Sequence, residues 1–135
     1  MSFEGTLMES LGMEIGEVGP GRVTVTMPVD RRTVQPFGYL HGGATAALLE
    51  TAASLGALQH IDQNTQVAFG TQLRIDHVRK TREGVVTGVA ELAGSDEGTQ
   101  VWTVKAYRAD GAMISTGTCT VRIVARRAER PQGRP

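Results

Sequence analysis

One carboxylate stands alone in the middle of this chain. Between Arg32 and Asp62 the only formally charged side chain is Glu50, set in the run Ala44-Thr-Ala-Ala-Leu-Leu-Glu50-Thr-Ala-Ala-Ser54. The run follows Gln35-Pro-Phe-Gly-Tyr-Leu-His41-Gly42-Gly43. A carboxylate can take a proton from water or attack a carbonyl carbon itself. Glycine N–H groups at the start of a helix can hold an oxygen that gains negative charge. Together these residue types suit acyl transfer.

The element that must position them is a helix of strong formers from Ala44 to about Leu58, with no Pro or Gly before Gly56. Apolar residues fall on every side of it, which predicts a helix buried all round. An ionised carboxylate buried there without partners costs on the order of several kcal/mol. Function is one reason to keep it; a neighbouring arginine is the plainer alternative. Likewise Gly42 and Gly43 could be oxyanion donors or simply permit a tight helix entry.

Gly43, Ala47, Glu50 and Ser54 fall on one stripe of the helix at about 100° per residue. Gly43 and Glu50 are nevertheless roughly 10 Å apart along its axis, at about 1.5 Å per residue. One helix therefore cannot easily bring both to the same carbonyl. Two antiparallel copies could, each offering its N-terminus to the other's Glu50, with Ala46 and Ala47 allowing close approach. The spacing predicts a dimer with shared active sites.

Around this helix the chain reads as one domain over 1–125. A short helix is expected over Phe3 to Leu11, then strands over Met13–Val18 and Arg22–Val29 around a Gly19-Pro20-Gly21 turn. After the helix, Gln66 to His77 alternates as one long strand, with Val67, Phe69, Thr71, Leu73, Ile75 and His77 on one side. Gly84–Leu92, Thr99–Arg108 and Ala112–Val124 complete a meander, with a loop at 94–98 and a turn at 109–111. Strand pair, long helix and meander predict an α+β fold. Residues 126–135, rich in Arg and Pro, are expected to be a disordered tail.

Composition narrows the function classes. At 135 residues the chain can bury a real core, and its 14 basic and 14 acidic side chains cancel. No charge excess favours nucleic acid or a membrane surface, and no apolar run reaches the ~20 residues of a membrane span. A leader with a basic start and an apolar core is not evident, so a cytoplasmic location is expected. The single cysteine, Cys119, falls in an alternating strand and reads as a buried inert thiol. Three scattered histidines and one cysteine lack metal-ligand spacing, and no Gly-x-Ser-x-Gly elbow is present.

The stretch Met27-Pro-Val-Asp-Arg-Arg-Thr-Val-Gln-Pro-Phe-Gly-Tyr-Leu-His-Gly-Gly-Ala, followed by Leu-Leu-Glu-Thr-Ala-Ala-Ser, closely resembles the hotdog-fold thioesterases of the phenylacetate-type subfamily. Within that subfamily it is similar to the 1,4-dihydroxy-2-naphthoyl-CoA thioesterases and the proofreading thioesterases of enterobactin synthesis. The likeness runs from about Met8 to Val124. The resemblance implies a curved antiparallel sheet wrapped around one long central helix, an acyl-CoA substrate, no cofactor, and a homodimer that often pairs into a homotetramer.

By that resemblance Glu50 is the general base or nucleophile, and Gly42, directly after the histidine, is the oxyanion donor. His41 and Gln35 contact and orient the thioester, and Ser54 helps hold the attacking water. A serine bonding back to its own helix is the alternative for Ser54. Gly43, Thr71, His77, Arg79 and Lys80, with Arg82, are the expected substrate and CoA contacts. Two departures stand out: Arg79-Lys80 where relatives carry Arg-Pro, and an acidic Ser95-Asp96-Glu97 where they are usually basic. The acidic loop should repel CoA phosphates, which keeps a carrier-protein thioester in play. A non-catalytic acyl-CoA-binding module is the other class, although binding alone requires no carboxylate beside a thioester.

Overall fold

The computed structural model describes residues 1–127. In order come α1 (Leu7–Ser10), β1 (Glu14–Gly19), β2 (Arg22–Pro28), α2 (Gly42–Leu58), β3 (Gln66–His77), β4 (Val85–Asp96), β5 (Thr99–Tyr107) and β6 (Met113–Ala125). The strands form one six-stranded sheet in the order β1-β2-β4-β5-β6-β3, every pairing antiparallel. This is the α+β hotdog arrangement that the motif implies.

The order explains why the helix must be long. β3 lies four strand spacings from β2, roughly 19 Å at about 4.8 Å each, and α2 carries the chain across the face between them. Its 17 residues span about 25 Å. Leu48, Leu49, Ala52 and Ala53 of α2 are fully buried with Val23, Val25 and Met27 of β2, Val86 and Ala90 of β4, and Trp102 and Val104 of β5. Each large apolar side chain so buried stabilises the fold by roughly 1.5–3 kcal/mol. At Gly56 the helix lies on the Trp102 ring, close enough that an added Cβ would sit 2.6 Å from it. The indole N–H donates to Gln100 Oε1 at 2.9 Å, so this buried polar group is satisfied.

Four expectations are corrected by the structure. The first helix is only Leu7–Ser10, because Gly5 takes a positive φ of 73° and closes a turn before it. The second correction concerns α2, which is not buried all round. Gly43 and Glu50 are exposed, and Ala46, Ala47, Thr51, Ser54 and Leu58 are only half-buried. Small residues look the same in sequence whether they face a core or an open side.

Third, β3 does not alternate uniformly. Its pairing with β6 shifts between Gly70 and Gln72, so Thr71 is an extra residue in a β-bulge. Ala68 therefore packs on the core together with Leu73 and Ile75, while Phe69 is 58% exposed on the outer face. Fourth, the expected 94–98 loop is a tight hairpin. β4 runs to Asp96, and Glu97 and Gly98, at φ 37° and 81°, form the turn. Two successive positive φ values match the right-handed twist of the strands they join. Of the expected tail, Arg126 is held: its N–H donates to the Thr65 carbonyl at 2.8 Å and its guanidinium to the Gln63 carbonyl at 3.0 Å. The remainder, from 128 onward, lies outside the described residues.

Candidate active site

The segment before α2 is tied down by its own hydrogen bonds. Thr33 Oγ1 donates to the Pro28 carbonyl at 2.8 Å, and Leu40 N–H to the Thr81 carbonyl at 2.8 Å. His41 N–H donates to the Thr33 carbonyl, also at 2.8 Å. Gln35 Oε1 accepts from the N–H groups of Phe37 and Tyr39, which closes the Pro36-Gly38 turn. That occupies the amide oxygen and leaves the Gln35 NH₂ as the group available to a ligand.

His41 caps α2. Its Nδ1 accepts the Gly43 N–H at 2.8 Å, which requires the neutral ring with its proton on Nε2. The cap decides between the two glycines. Gly43 N–H is consumed, whereas Gly42 N–H has no partner among the described residues and stands free at the positive end of the helix. A Cβ added at Gly42 would lie 2.9 Å from His77 Nε2, so the imidazole rests on the bare Cα of Gly42. His77 is held in turn by Ser115, whose hydroxyl is 2.8 Å from Nδ1 and which is 1% exposed.

Gln35, Gly42, His77, Arg79 and Lys80 thus share one hollow of about 420 Å³, with Phe37, Tyr39, Ile114 and Ser115. Arg79 donates to the Met113 carbonyl at 2.8 Å, and Lys80 and Arg82 lie over the Tyr39 ring at 4.9 and 4.2 Å. The Arg82 guanidinium, then the charge of Lys80, hold the Tyr39 hydroxyl below its usual pKa. Cationic side chains therefore gather at the end of the sheet where Arg108 donates to the Lys80 carbonyl. The acidic Asp96-Glu97 hairpin lies at the other end of β5, roughly 26 Å away along the strand at about 3.3 Å per residue. Within one protomer it does not face the basic cluster.

Glu50 is elsewhere. It opens on a second hollow, of about 500 Å³, with Ser54 and a mainly apolar lining that includes Ala46, Ala47, Leu55, Leu58 and Leu73. Ser54 makes no protein hydrogen bond among the described residues; Thr51 is the residue that bonds back, to the Ala47 carbonyl at 2.7 Å. The Ser54 hydroxyl is thus available one turn beyond the carboxylate. Beneath lies the buried Cys119, whose thiol is pushed up to about 11 by burial and then by the negative charge of Glu50. Its side chain is fully buried in the core. His41 and Gly43 border a third, smaller hollow with Ala44 and Ala47. Thr71 is exposed on its bulge, with Oγ1 3.4 Å from the Thr120 carbonyl, and borders neither of the two larger hollows.

One chain therefore brings the free Gly42 N–H and the basic residues together and keeps the Glu50 carboxylate apart. Three neighbours of these residues escaped sequence reading: Ser115 and Tyr39, which line the basic hollow, and Gly70, whose backbone lies against the Glu50 carboxylate. For Gly70 a signal existed, since a lone glycine inside a strand marks a bulge or a close approach.

The sequence model of the family described as the thioesterase superfamily matches residues 37–115. The 1,4-dihydroxy-2-naphthoyl-CoA hydrolase of Listeria monocytogenes is 35% identical, over 90% of this chain and 98% of its own. The proofreading thioesterase EntH of Cronobacter turicensis is 37% identical, over 89% of this chain and 87% of its own. Among solved structures, a glutamine-to-alanine variant of a Staphylococcus aureus thioesterase superposes with a TM-score of 0.85 at 37% identity, covering 87% of this chain and 97% of that one. A glutamate-to-alanine variant of the same protein superposes at 0.87, covering 89% and 99%.

Proposed function

The chain belongs to the thioesterase superfamily and is a thioester hydrolase, and from that premise we propose that it cleaves an aryl- or medium-chain acyl-CoA to free acid and CoA, with Glu50 as general base or nucleophile. The observation that carries this reading is the pair of half-sites on one helix. A free N–H sits in a basic hollow at one end, and a carboxylate sits at an apolar hollow further along.

The basic hollow suits the CoA side of the substrate, with His77, Arg79 and Lys80 toward the nucleotide and Gln35 toward the thioester. The apolar hollow suits the acyl group, and its volume lies within the ordinary range for small-ligand sites. A second copy, its helix antiparallel, would set the Gly42 N–H of one protomer opposite Glu50 of the other. The half-buried small-residue stripe of α2 and the outer edge of β3, unpaired among the described residues, leave room for it. A homodimer with shared sites is the minimum this geometry calls for, and a homotetramer is compatible with it.

In that arrangement water adds to the carbonyl carbon as Glu50 takes its proton, or the carboxylate adds first to give an anhydride that water opens. The oxygen that gains charge is received by the Gly42 N–H. His41, with its proton on Nε2, opens instead on the smaller hollow beside Gly43 and would orient the thioester from there. On the water route the C–S bond then breaks and CoA leaves with the proton that Glu50 took; on the anhydride route the C–S bond breaks as the anhydride forms, and the departing thiolate takes a proton from the water that opens it. Supporting the choice of residues, the glutamine and glutamate altered in the Staphylococcus aureus structures have the separation along their chain that Gln35 and Glu50 have here.

The test is free-thiol release from a panel of short, medium and long acyl-CoAs beside benzoyl-, phenylacetyl- and hydroxynaphthoyl-CoA. Turnover of aryl or medium-chain members, lost in Glu50→Ala, is expected. Turnover only on acyl-carrier-protein thioesters would reassign the substrate, and full activity of Glu50→Ala would remove Glu50 from the chemistry.

A further inference from the structure

Glu50 has no hydrogen-bond partner among the described residues, and it projects from an exposed face of α2. What it does have is a floor. A Cβ added at Gly70 would lie 3.0 Å from Glu50 Cδ, 3.1 Å from Cγ and 3.1 Å from Oε2. The carboxylate therefore lies flat on the bare backbone of β3, at the one point of that strand without a side chain to lift it. Gly70 is also where the pairing of β3 with β6 shifts, with Thr71 as the extra residue. The bulge turns Gly70 toward the helix while keeping Leu73 and Ile75 packed on the core. A regular strand would give Gly70 and His77 opposite faces. The extra residue gives them the same face, so one bulge serves both the carboxylate and the imidazole against Gly42.

We propose that Gly70 is a positioning residue for the reaction: by lacking a side chain at the β3 bulge it sets the height and direction of the Glu50 carboxylate. The inference rests on the reading of Glu50 above. Any side chain at position 70 lifts the carboxylate and strips water from Oε2. Because the displaced group is the far end of a flexible side chain, the chain accommodates the change by rotating Glu50. The loss falls on kcat rather than on folding.

The experiment is Gly70→Ala in the full chain, assayed by free-thiol release across pH on whichever acyl-CoA the wild type turns over. Gly94→Ala is the matched control, since Gly94 sits at the register shift of β4 and an added Cβ there meets nothing within 4 Å. Expected for Gly70→Ala is a kcat lower by about 10- to 100-fold, the scale of a misplacement near 1 Å, with KM within about twofold of wild type. The acid limb of the kcat profile should move to higher pH, because desolvation disfavours the charged carboxylate. A purely structural loss would leave that limb in place. Wild-type kcat and limb in Gly70→Ala, with Glu50→Ala inactive, would overturn the role of Gly70 and spare that of Glu50. Full turnover by Glu50→Ala would remove both. Should Gly70→Ala fail to fold, the double variant with Glu50→Ala decides: a folded double variant supports the contact, and an unfolded one overturns it.

Discussion

The two ends of the working stretch of α2 are built differently. At its N-terminus the entering chain is laced by hydrogen bonds: His41 N–H to the Thr33 carbonyl, His41 Nδ1 from Gly43 N–H, and His77 to the buried Ser115. Two turns on, Glu50 and Ser54 have no polar protein partner among the described residues and border an apolar hollow. One region is fixed within the protomer; the other is left open. On the proposed reading the difference has a reason: donors for an oxyanion work only if they are held in place before charge develops, and the chain itself would supply that rigidity. A carboxylate that reaches water and a thioester carbonyl needs a free face, whose surroundings a second copy would complete.

The largest effect should come from the open end. Glu50→Gln keeps the shape and removes the base, and is expected to lower kcat by about 10² to 10⁴ while gel filtration shows an unchanged oligomer. Near-wild-type turnover would erase the distinction between the two ends. Next comes the fixed end. Gly42→Pro deletes the free N–H yet suits the first helical position, where proline is favoured, and His41 before it already has the extended φ −69°, ψ 129° that proline demands. A fall in kcat of about 10² to 10³ is expected. Gly42→Ala adds a Cβ against His77 as proline does but keeps the N–H, so a clearly smaller loss in it assigns the difference to the donor. Equal losses would mean that crowding of His77 accounts for both.

Those two lesions together probe whether the ends meet across protomers. Neither Glu50→Gln nor Gly42→Pro alone has a working site. With shared sites, a hybrid dimer would pair one protomer's intact Gly42 with its partner's intact Glu50, so that one of its two sites would be whole. After subunit exchange, hybrids should regain about half the wild-type activity per dimer. Exchange without recovery would place both groups in one protomer's site.

Much of this was legible from residue order, and the failures share a cause. Strand pair, long helix and meander follow from alternation and from Gly and Pro punctuation, and the motif around Gln35, His41 and Glu50 implied the family. What escaped depended on partners remote in sequence. The apolar pattern of α2 predicts burial on every side, even though the size of Ala46 and Ala47 suits close approach of a second helix, because small residues carry no sign of which side is open. The alternation of β3 predicted Phe69 on the same face as Leu73, and the bulge at Thr71 reversed it. The residues alone leave Gly42 and Gly43 open and the resemblance points to Gly42; only the His41 cap shows that the Gly43 N–H is already used. Ser115 is 38 residues from His77 and meets it only because β3 and β6 pair with those two residues in register.

That pairing carries the smallest and most discriminating change. Ser115→Ala removes a hydroxyl 1% exposed, from a strand otherwise unaltered. His77 is exposed enough to rehydrate its Nδ1, so no buried polar group is orphaned and little stability should be lost. What is lost is the tether that holds Nε2 over Gly42. A neutral hydrogen bond contributes about 0.5–1.5 kcal/mol net, which corresponds to roughly a two- to tenfold rise in KM for the acyl-CoA. The acid limb of the kcat profile should stay where it is, because Glu50 lies at the other end and is untouched. A shift of that limb would show the two ends coupled through β3 within a single protomer, and the fixed and open regions would then have to be treated as one.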